Sequence, residues 1–200
     1  MEIVLASRNR KKIEELKSLL ADMPVEVRSL ADFPDVPETP ETGSTFAENA
    51  ELKAKAAAQA TGRIALADDS GLEVDALGGQ PGILSNRFAG PEATDRDKYM
   101  RILELLEGVP DEERTARFKA AVAIVTPEGE TVLVEGTCEG RIAREPRGEN
   151  GFGYDPIFYL PDLGLTMAQL PASEKNRISH RGKALQGAKR VLSQEFGLES

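Results

Sequence analysis

The sequence predicts an α/β protein built around a mixed β-sheet, and three observations lead to it. The chain opens with an apolar strand, an amphipathic helix and a second strand, a βαβ unit that implies parallel pairing at this end. An alanine-rich helical run over residues 45–61 leads directly into an apolar stretch at 64–67. Residues 117–126 and 131–139 flank the turn Pro127-Glu128-Gly129-Glu130 and read as a long antiparallel hairpin, so the sheet cannot be purely parallel.

Taken in order, residues 2–6 form the first expected strand. Residues 10–21 form the first helix, with Ile13, Leu16, Leu19 and Leu20 on one apolar stripe, and residues 25–30 the second strand. The loop Ser7-Arg8-Asn9 then joins a strand end to a helix start, where N–H groups and the helix dipole favour a phosphate. Arg10, Lys11 and Lys12 occupy the first helical turn, where acids are normally preferred, so an anion accounts for them better than helix stability does. No G-x-x-x-x-G-K-[ST] motif is present, which excludes a P-loop. Three prolines break residues 31–43 into a loop that carries Glu41. Thr45-Phe46-Ala47-Glu48 has the spacing of a capping box for the helix that follows.

Residues 77–82 form a glycine-rich loop, and residues 95–106 an amphipathic helix with Tyr99, Ile102, Leu103 and Leu106 inward. Asn150-Gly151-Phe152-Gly153-Tyr154-Asp155-Pro156 reads as an exposed loop in which aromatics alternate with glycines. Phe152 can either pack in the core or offer its flat face to a base. Residues 173–181 lead into a last helix, with Ser179 as expected N-cap and with His180 and Arg181 in its first turn, directing donors out of the helix start. His180 is the one histidine, which excludes a multi-histidine metal site.

Composition bounds the function. A chain of 200 residues is read as one domain over 1–200. Its 40% hydrophobic and 30% charged residues suit an ordinary globular chain, and no apolar run approaches the roughly 18 residues of a membrane span. Met1 runs into an apolar strand with no basic leader, and a lone cysteine, Cys138, cannot close an intrachain disulfide, so a cytoplasmic protein off the membrane is expected. A net charge of −9 argues against nucleic-acid binding, which needs a broad basic face. The basic residues are concentrated instead: residues 7–12 carry net +4, and residues 171–190 carry six Lys or Arg against one Glu. Two basic clusters on an acidic body suit a small polyanion, although charge runs are most often solvated helix faces.

The chemistry gathers in residues 64–75, which read as strand, acidic corner, strand. Asp68-Asp69-Ser70-Gly71 follows the apolar run at once. Two adjacent carboxylates repel, and burying them costs free energy unless a cation, a helix N-terminus or several N–H donors lie beside them. An Asx-type turn with both aspartates in water is the plain alternative.

Five motifs in order resemble the inosine/xanthosine triphosphate pyrophosphatase family across nearly the whole chain. They are Ser7-Arg8-Asn9-Arg10-Lys11-Lys12; Glu41-Thr42-Gly43-Ser44-Thr45-Phe46-Ala47-Glu48-Asn49-Ala50; Ala67-Asp68-Asp69-Ser70-Gly71-Leu72; Phe152-Gly153-Tyr154-Asp155-Pro156; and Ser173-Glu174-Lys175-Asn176 with Ser179-His180-Arg181. The resemblance implies a long central mixed sheet with flanking helices, two lobes around a cleft, a homodimer and Mg²⁺. It implies Asp69 as proton acceptor and metal ligand, Glu41 as second metal ligand, and Asp68 as a neighbour in the same carboxylate cluster. Residues 7–12 and Ser70 would contact the substrate, with Ser7, Asn9 and Lys12 holding the triphosphate. Lys175 would contact the nucleotide and Phe152 would stack on the purine, while Gly153, Tyr154, Asp155, His180 and Arg181 would complete the base pocket. The implied activity is hydrolysis of ITP, dITP or XTP to the monophosphate and pyrophosphate. An enzyme for other nucleotides, a nucleotide sensor that does not hydrolyse, and a docking face for an acidic partner are the competing readings. The last leaves Asp68-Asp69 and the Phe152 loop unexplained.

Overall fold

A computed structural model describes residues 1–196. Its seven strands are hydrogen-bonded in the order β2-β1-β3-β4-β5-β6-β7. They are β1 (Glu2–Leu5), β2 (Glu26–Ser29), β3 (Ile64–Val74), β4 (Thr115–Val125), β5 (Thr131–Ile142), β6 (Phe158–Leu160) and β7 (Leu165–Thr166). β1 pairs in parallel with β2 and with β3, whereas β5–β6 and β6–β7 are antiparallel, so the sheet is mixed as expected. Neighbouring strands β4 and β5 are joined by a turn closed from Thr126 N–H to the Glu130 carbonyl, a connection short enough only for an antiparallel hairpin. Five helices accompany the strands: α1 (Arg10–Leu19), α2 (Phe46–Thr61), α3 (Asp95–Leu105), α4 (Ala172–Ile178) and α5 (His180–Phe196). No helix among the described residues is long and apolar enough to cross a membrane.

The chain forms two compact units. The first comprises residues 1–69, 120–136 and 181 onward; the second comprises 70–119 and 137–180. In the first, Ile3 and Leu5 of β1, Leu66 of β3, and Val122 and Ile124 of β4 pack with Ile13 and Leu16 of α1 and Leu185, Ala188 and Leu192 of α5. Alternation along the strands sends Val4, Ala65 and Ala67, equally buried, to the other face. There α2 packs on β1, burying Ala50, Ala54 and Ala57, side chains small enough for close approach. At Gly187 of α5 an added Cβ would lie 2.4 Å from Val134 Cγ1, so only glycine lets this helix come so near β5. The second unit has its own core, with Leu72, Ile102, Leu106, Phe118, Tyr154, Ile157, Phe158 and Met167.

Local chemistry sets the helix ends. The side chains of Asn9, Thr45 and Thr94 accept from the third residue of α1, α2 and α3, and Gly62 ends α2 in the left-handed region. At the expected capping box of Thr45, Ser44 takes part as well. The Glu48 carboxylate accepts chiefly from the N–H and hydroxyl of Ser44, at 2.6 and 2.8 Å, and only more weakly from the Thr45 backbone.

Candidate active site

β3 runs unbroken through Asp68, Asp69 and Ser70, so the acidic corner expected there is not a corner. All three residues are buried within the strand. Extended backbone points successive side chains to opposite faces, which separates the two carboxylates and lets each find its own cations. Asp68 and Asp69 thus face opposite sides of the strand, while Lys53 still acts on both and Asp68 on Asp69.

Asp68 lies on the face of Leu66, between α1 and α5. Its Oδ2 accepts from Arg181 Nε at 3.0 Å and sits 3.2 Å from Lys12 Nζ. Burial pushes its carboxyl up, but Lys12, Arg181 and Lys53 outweigh burial and hold it below the ordinary carboxylate range. Burial likewise pushes the Lys12 ammonium down, and the pull of Asp68 does not fully restore it. Arg181 is buried and directed inward, its second donor reaching Glu15 Oε2 at 3.0 Å, which corrects the expectation that it points out of the helix start.

Asp69 lies on the face of Ala67, toward α2. Lys53 of that helix holds this side together, donating to Glu41 Oε1 at 2.9 Å, to the Asp68 carbonyl at 2.8 Å and to Asp69 Oδ1 at 3.4 Å. Asp69 Oδ2 is buried with no hydrogen-bond partner. Burial is the largest influence on Asp69 and leaves its carboxyl above the usual range in spite of Lys53. On Lys53 the order reverses: burial lowers it, and Asp69, Asp68 and Glu41 together raise it.

This arrangement fits a divalent cation. Two carboxylates already converge on one ammonium, and a buried carboxylate oxygen beside them lacks a partner. Among the described residues no group of three or more potential ligands occurs. Glu41 and Asp69 are the two carboxylates that could hold Mg²⁺, an ion that takes one or two carboxylates and fills the rest of its shell with water and phosphate oxygens.

The basic loop divides in use. Asn9 caps α1, accepting from Lys12 N–H, and Ser7 Oγ accepts from Asn9 N–H. Arg8 donates to the carbonyls of Phe33 and Val36, tethering the loop that leads to Glu41. Arg10 pairs with Glu14 in solvent and Lys11 is exposed, so of these side chains only Lys12 is buried.

In the second unit the loop at 150–156 is more ordered than its sequence suggests. Asp155 is buried, and its Oδ2 accepts from Phe152 N–H at 3.0 Å and from Lys175 Nζ at 2.8 Å. Gly151 has φ +73, and a Cβ there would lie 2.1 Å from Asp155 Oδ2. Lys175 Nζ lies 4.8 Å from the Phe152 ring centroid. Gly153 N–H donates to Asp95 Oδ2 at 2.9 Å. Tyr154 belongs to the core, its hydroxyl donating to the Ser85 carbonyl at 2.7 Å and its acidity suppressed first by burial and then by Asp95. His180 is buried and stacked on Phe118, with centroids 4.7 Å apart. Lys175 lies in α4, a short helix where sequence reading expected only a lead-in to α5; Ser179, between the two, has the extended backbone of an N-cap.

The structure thus gathers Glu41, Asp69, Asp68, Lys12 and Arg181 in one unit, and Phe152, Gly153, Tyr154, Asp155 and Lys175 in the other. Lys53, Glu15 and Asp95 were missed from sequence. The overlooked signal at Lys53 was its helical register, which places it between Ala50, Ala54 and Ala57 on the buried side of α2.

Fold and site together define a mixed α/β protein with a helix N-terminus and a carboxylate–ammonium cluster suited to a polyanion and a cation. The chain belongs to the Ham1 family, whose profile matches residues 3–191. It is similar to a dITP/XTP pyrophosphatase of Geobacillus kaustophilus, 57% identical over 184 residues that cover 92% of this chain and 90% of that one. A dITP/XTP pyrophosphatase of Desulforamulus reducens is 52% identical over 196 residues, 98% of each chain. The solved structure of a HAM1 protein from Coxiella burnetii superposes with a TM-score of 0.88 at 48% identity, covering 97% of this chain and 99% of that one. The resemblance read from the motifs and the mixed α/β fold class are both borne out.

Proposed function

We propose that this protein hydrolyses the non-standard purine nucleoside triphosphates ITP, dITP and XTP to the nucleoside monophosphate and pyrophosphate, clearing them from the nucleotide pool. The observation that carries the reading is Asp69, a buried carboxylate with one oxygen facing Lys53, the other unpartnered, and a raised basicity. Such a group is placed and tuned to accept a proton.

Asp69 takes a proton from the water that attacks the α-phosphorus. The α–β bridging bond breaks, and its electron pair leaves with pyrophosphate. Asp69 and Glu41 would hold Mg²⁺, which when bound neutralises phosphate charge and makes water more acidic. Lys53 keeps the two carboxylates together. Lys12 and the α1 N-terminus hold the polyphosphate, and Ser7 and Asn9 fix the loop that starts the helix. Phe152 supplies a flat face for the purine, its loop held by Asp155 and Asp95. Donors toward a 6-oxo group would be left unpaired by adenine, a mismatch that can discriminate by about 10⁴. The family resemblance further supports a cytoplasmic homodimer acting on free nucleotides, and the net charge of −9 suits a substrate that is not a nucleic acid.

The test is release of pyrophosphate against orthophosphate from ITP, XTP, GTP and ATP, with Mg²⁺ and with chelator. Pyrophosphate from ITP and XTP alone, abolished by chelator, is expected. Orthophosphate instead would move the attack to the γ-phosphorus, and no turnover would leave a binding protein.

A further inference from the structure

Lys12, Asp68, Arg181 and Glu15 form an alternating chain of buried charges within the first unit. Lys12 Nζ lies 3.2 Å from Asp68 Oδ2; that same oxygen accepts from Arg181 Nε at 3.0 Å; and the Arg181 guanidinium reaches Glu15 Oε2 at 3.0 Å. Side-chain exposures of Lys12, Asp68, Arg181 and Glu15 are 7, 1, 8 and 9%, so water screens these pairs little. Lys12 and Glu15 stand three residues apart on α1, hence on neighbouring positions of one helix face.

A single oxygen of Asp68 serves two cations, so each weakens its hold on the other. Glu15 draws part of the Arg181 charge to the far side of the guanidinium. Losing the Glu15 charge removes one negative charge from beside the Arg181 guanidinium, 3.0 Å away. The Arg181 charge then bears more fully on Asp68 and Lys12, and burial already disfavours the cationic form of Lys12.

We propose that Glu15 is a positioning residue of the polyphosphate site: by sharing Arg181 with Asp68, it helps Asp68 keep Lys12 charged and in place. This deepens the functional reading above and rests on it for the role of Lys12. Glu15 need not touch the substrate. A purely structural clasp between α1 and α5 would change stability alone, whereas a positioning role changes anion affinity in a charge-dependent way.

The experiment is calorimetric titration of the whole 200-residue chain with inorganic triphosphate in Mg²⁺, for wild type, Glu15→Gln, Glu15→Asp and the double variant Glu15→Gln/Arg181→Gln. Glu15→Gln is expected to weaken binding about ten-fold, and Glu15→Asp by less. The double variant, which removes one charge of each sign, should return to within about three-fold of wild type. If Glu15→Gln binds triphosphate like wild type, or the double variant binds no better than Glu15→Gln, the proposal fails. Should Glu15→Gln not fold, the Glu15→Asp loss and the double-variant recovery carry the same decision. Hydrolysis of ITP by wild type is measured in parallel. If it is absent while the binding order holds, the activity reading fails and the role of Glu15 stands; if it is present while the order is not seen, the reverse is true.

Discussion

Asp68 and Asp69 are adjacent in sequence and on opposite faces of β3, Asp68 bound to Arg181 of α5 and Asp69 to Lys53 of α2. A strand turns one acidic dipeptide into two sites with different neighbours. Burial pushes both carboxyls up; at Asp68 Lys12 and Arg181 outweigh it and the carboxyl falls below the usual range, whereas at Asp69 burial, helped by Glu41, prevails over Lys53 and the carboxyl rises above it. Two identical side chains thus acquire opposite shifts, and the proposed division of duties follows them: Asp68 to hold cations, Asp69 to accept a proton.

Asp69→Asn is expected to lower pyrophosphate release by about 10³-fold, because the amide accepts no proton from water. The protein should remain folded, since a neutral group at this buried position removes a desolvated charge. Initial rates and thermal unfolding check the two halves, and near-normal turnover would remove Asp69 as the base.

Lys53→Met should cost about 3 kcal/mol of stability, since two largely buried carboxylates lose their shared cation. Added Mg²⁺ should offset part of this loss. Thermal midpoints with and without Mg²⁺ are therefore expected to differ more in the variant than in wild type, and equal shifts would count against a cation at Glu41 and Asp69.

Phe152→Ala should raise KM for ITP by about ten-fold, the scale of one lost aromatic–base stack. The loop itself should persist, because Asp155 holds it through the backbone N–H of residue 152 and through Lys175. Unchanged KM would place the purine elsewhere.

Arg114 is buried and donates to the carbonyls of Leu106, Ile142 and Ala143, linking the end of α3 to the end of β5. Arg114→Met leaves three carbonyls without this donor and should destabilise by about 3 kcal/mol, read from the urea midpoint. It should leave kcat unchanged once folded.

Asp75 tests the acid limb of stability. Its hydrogen bonds from Arg117 and Thr115 bring the carboxyl down to about 2 from 3.8. A lowered folded value means stability that is complete above pH 3.8 and lost as pH falls toward 2. Because Asp75 is largely exposed, the difference between wild type and Asp75→Asn should be only about 0.5 kcal/mol at neutral pH. It should vanish near pH 2, as followed by thermal midpoints.

Much of this was legible in the chain. Local signals carried β1, α1 and β2, the Thr45 start of α2, and the β4–β5 hairpin, since periodicity, caps and turns depend on residues close in sequence. The motifs named the family for the same reason. Reading a corner at Asp68-Asp69 failed because sequence alone does not show buried cations, and without them two adjacent aspartates favour a turn.

The sequence by itself determined the order of elements, the mixed sheet, the family and the residue types able to handle a polyanion and a cation. Only the tertiary structure decided which charges meet. Lys53 lies 12 residues after Glu41 and 16 before Asp69, and Arg181 lies 113 residues after Asp68. Such pairs form because strand alternation and helix packing bring distant side chains to one face, and low exposure then makes their charges govern one another.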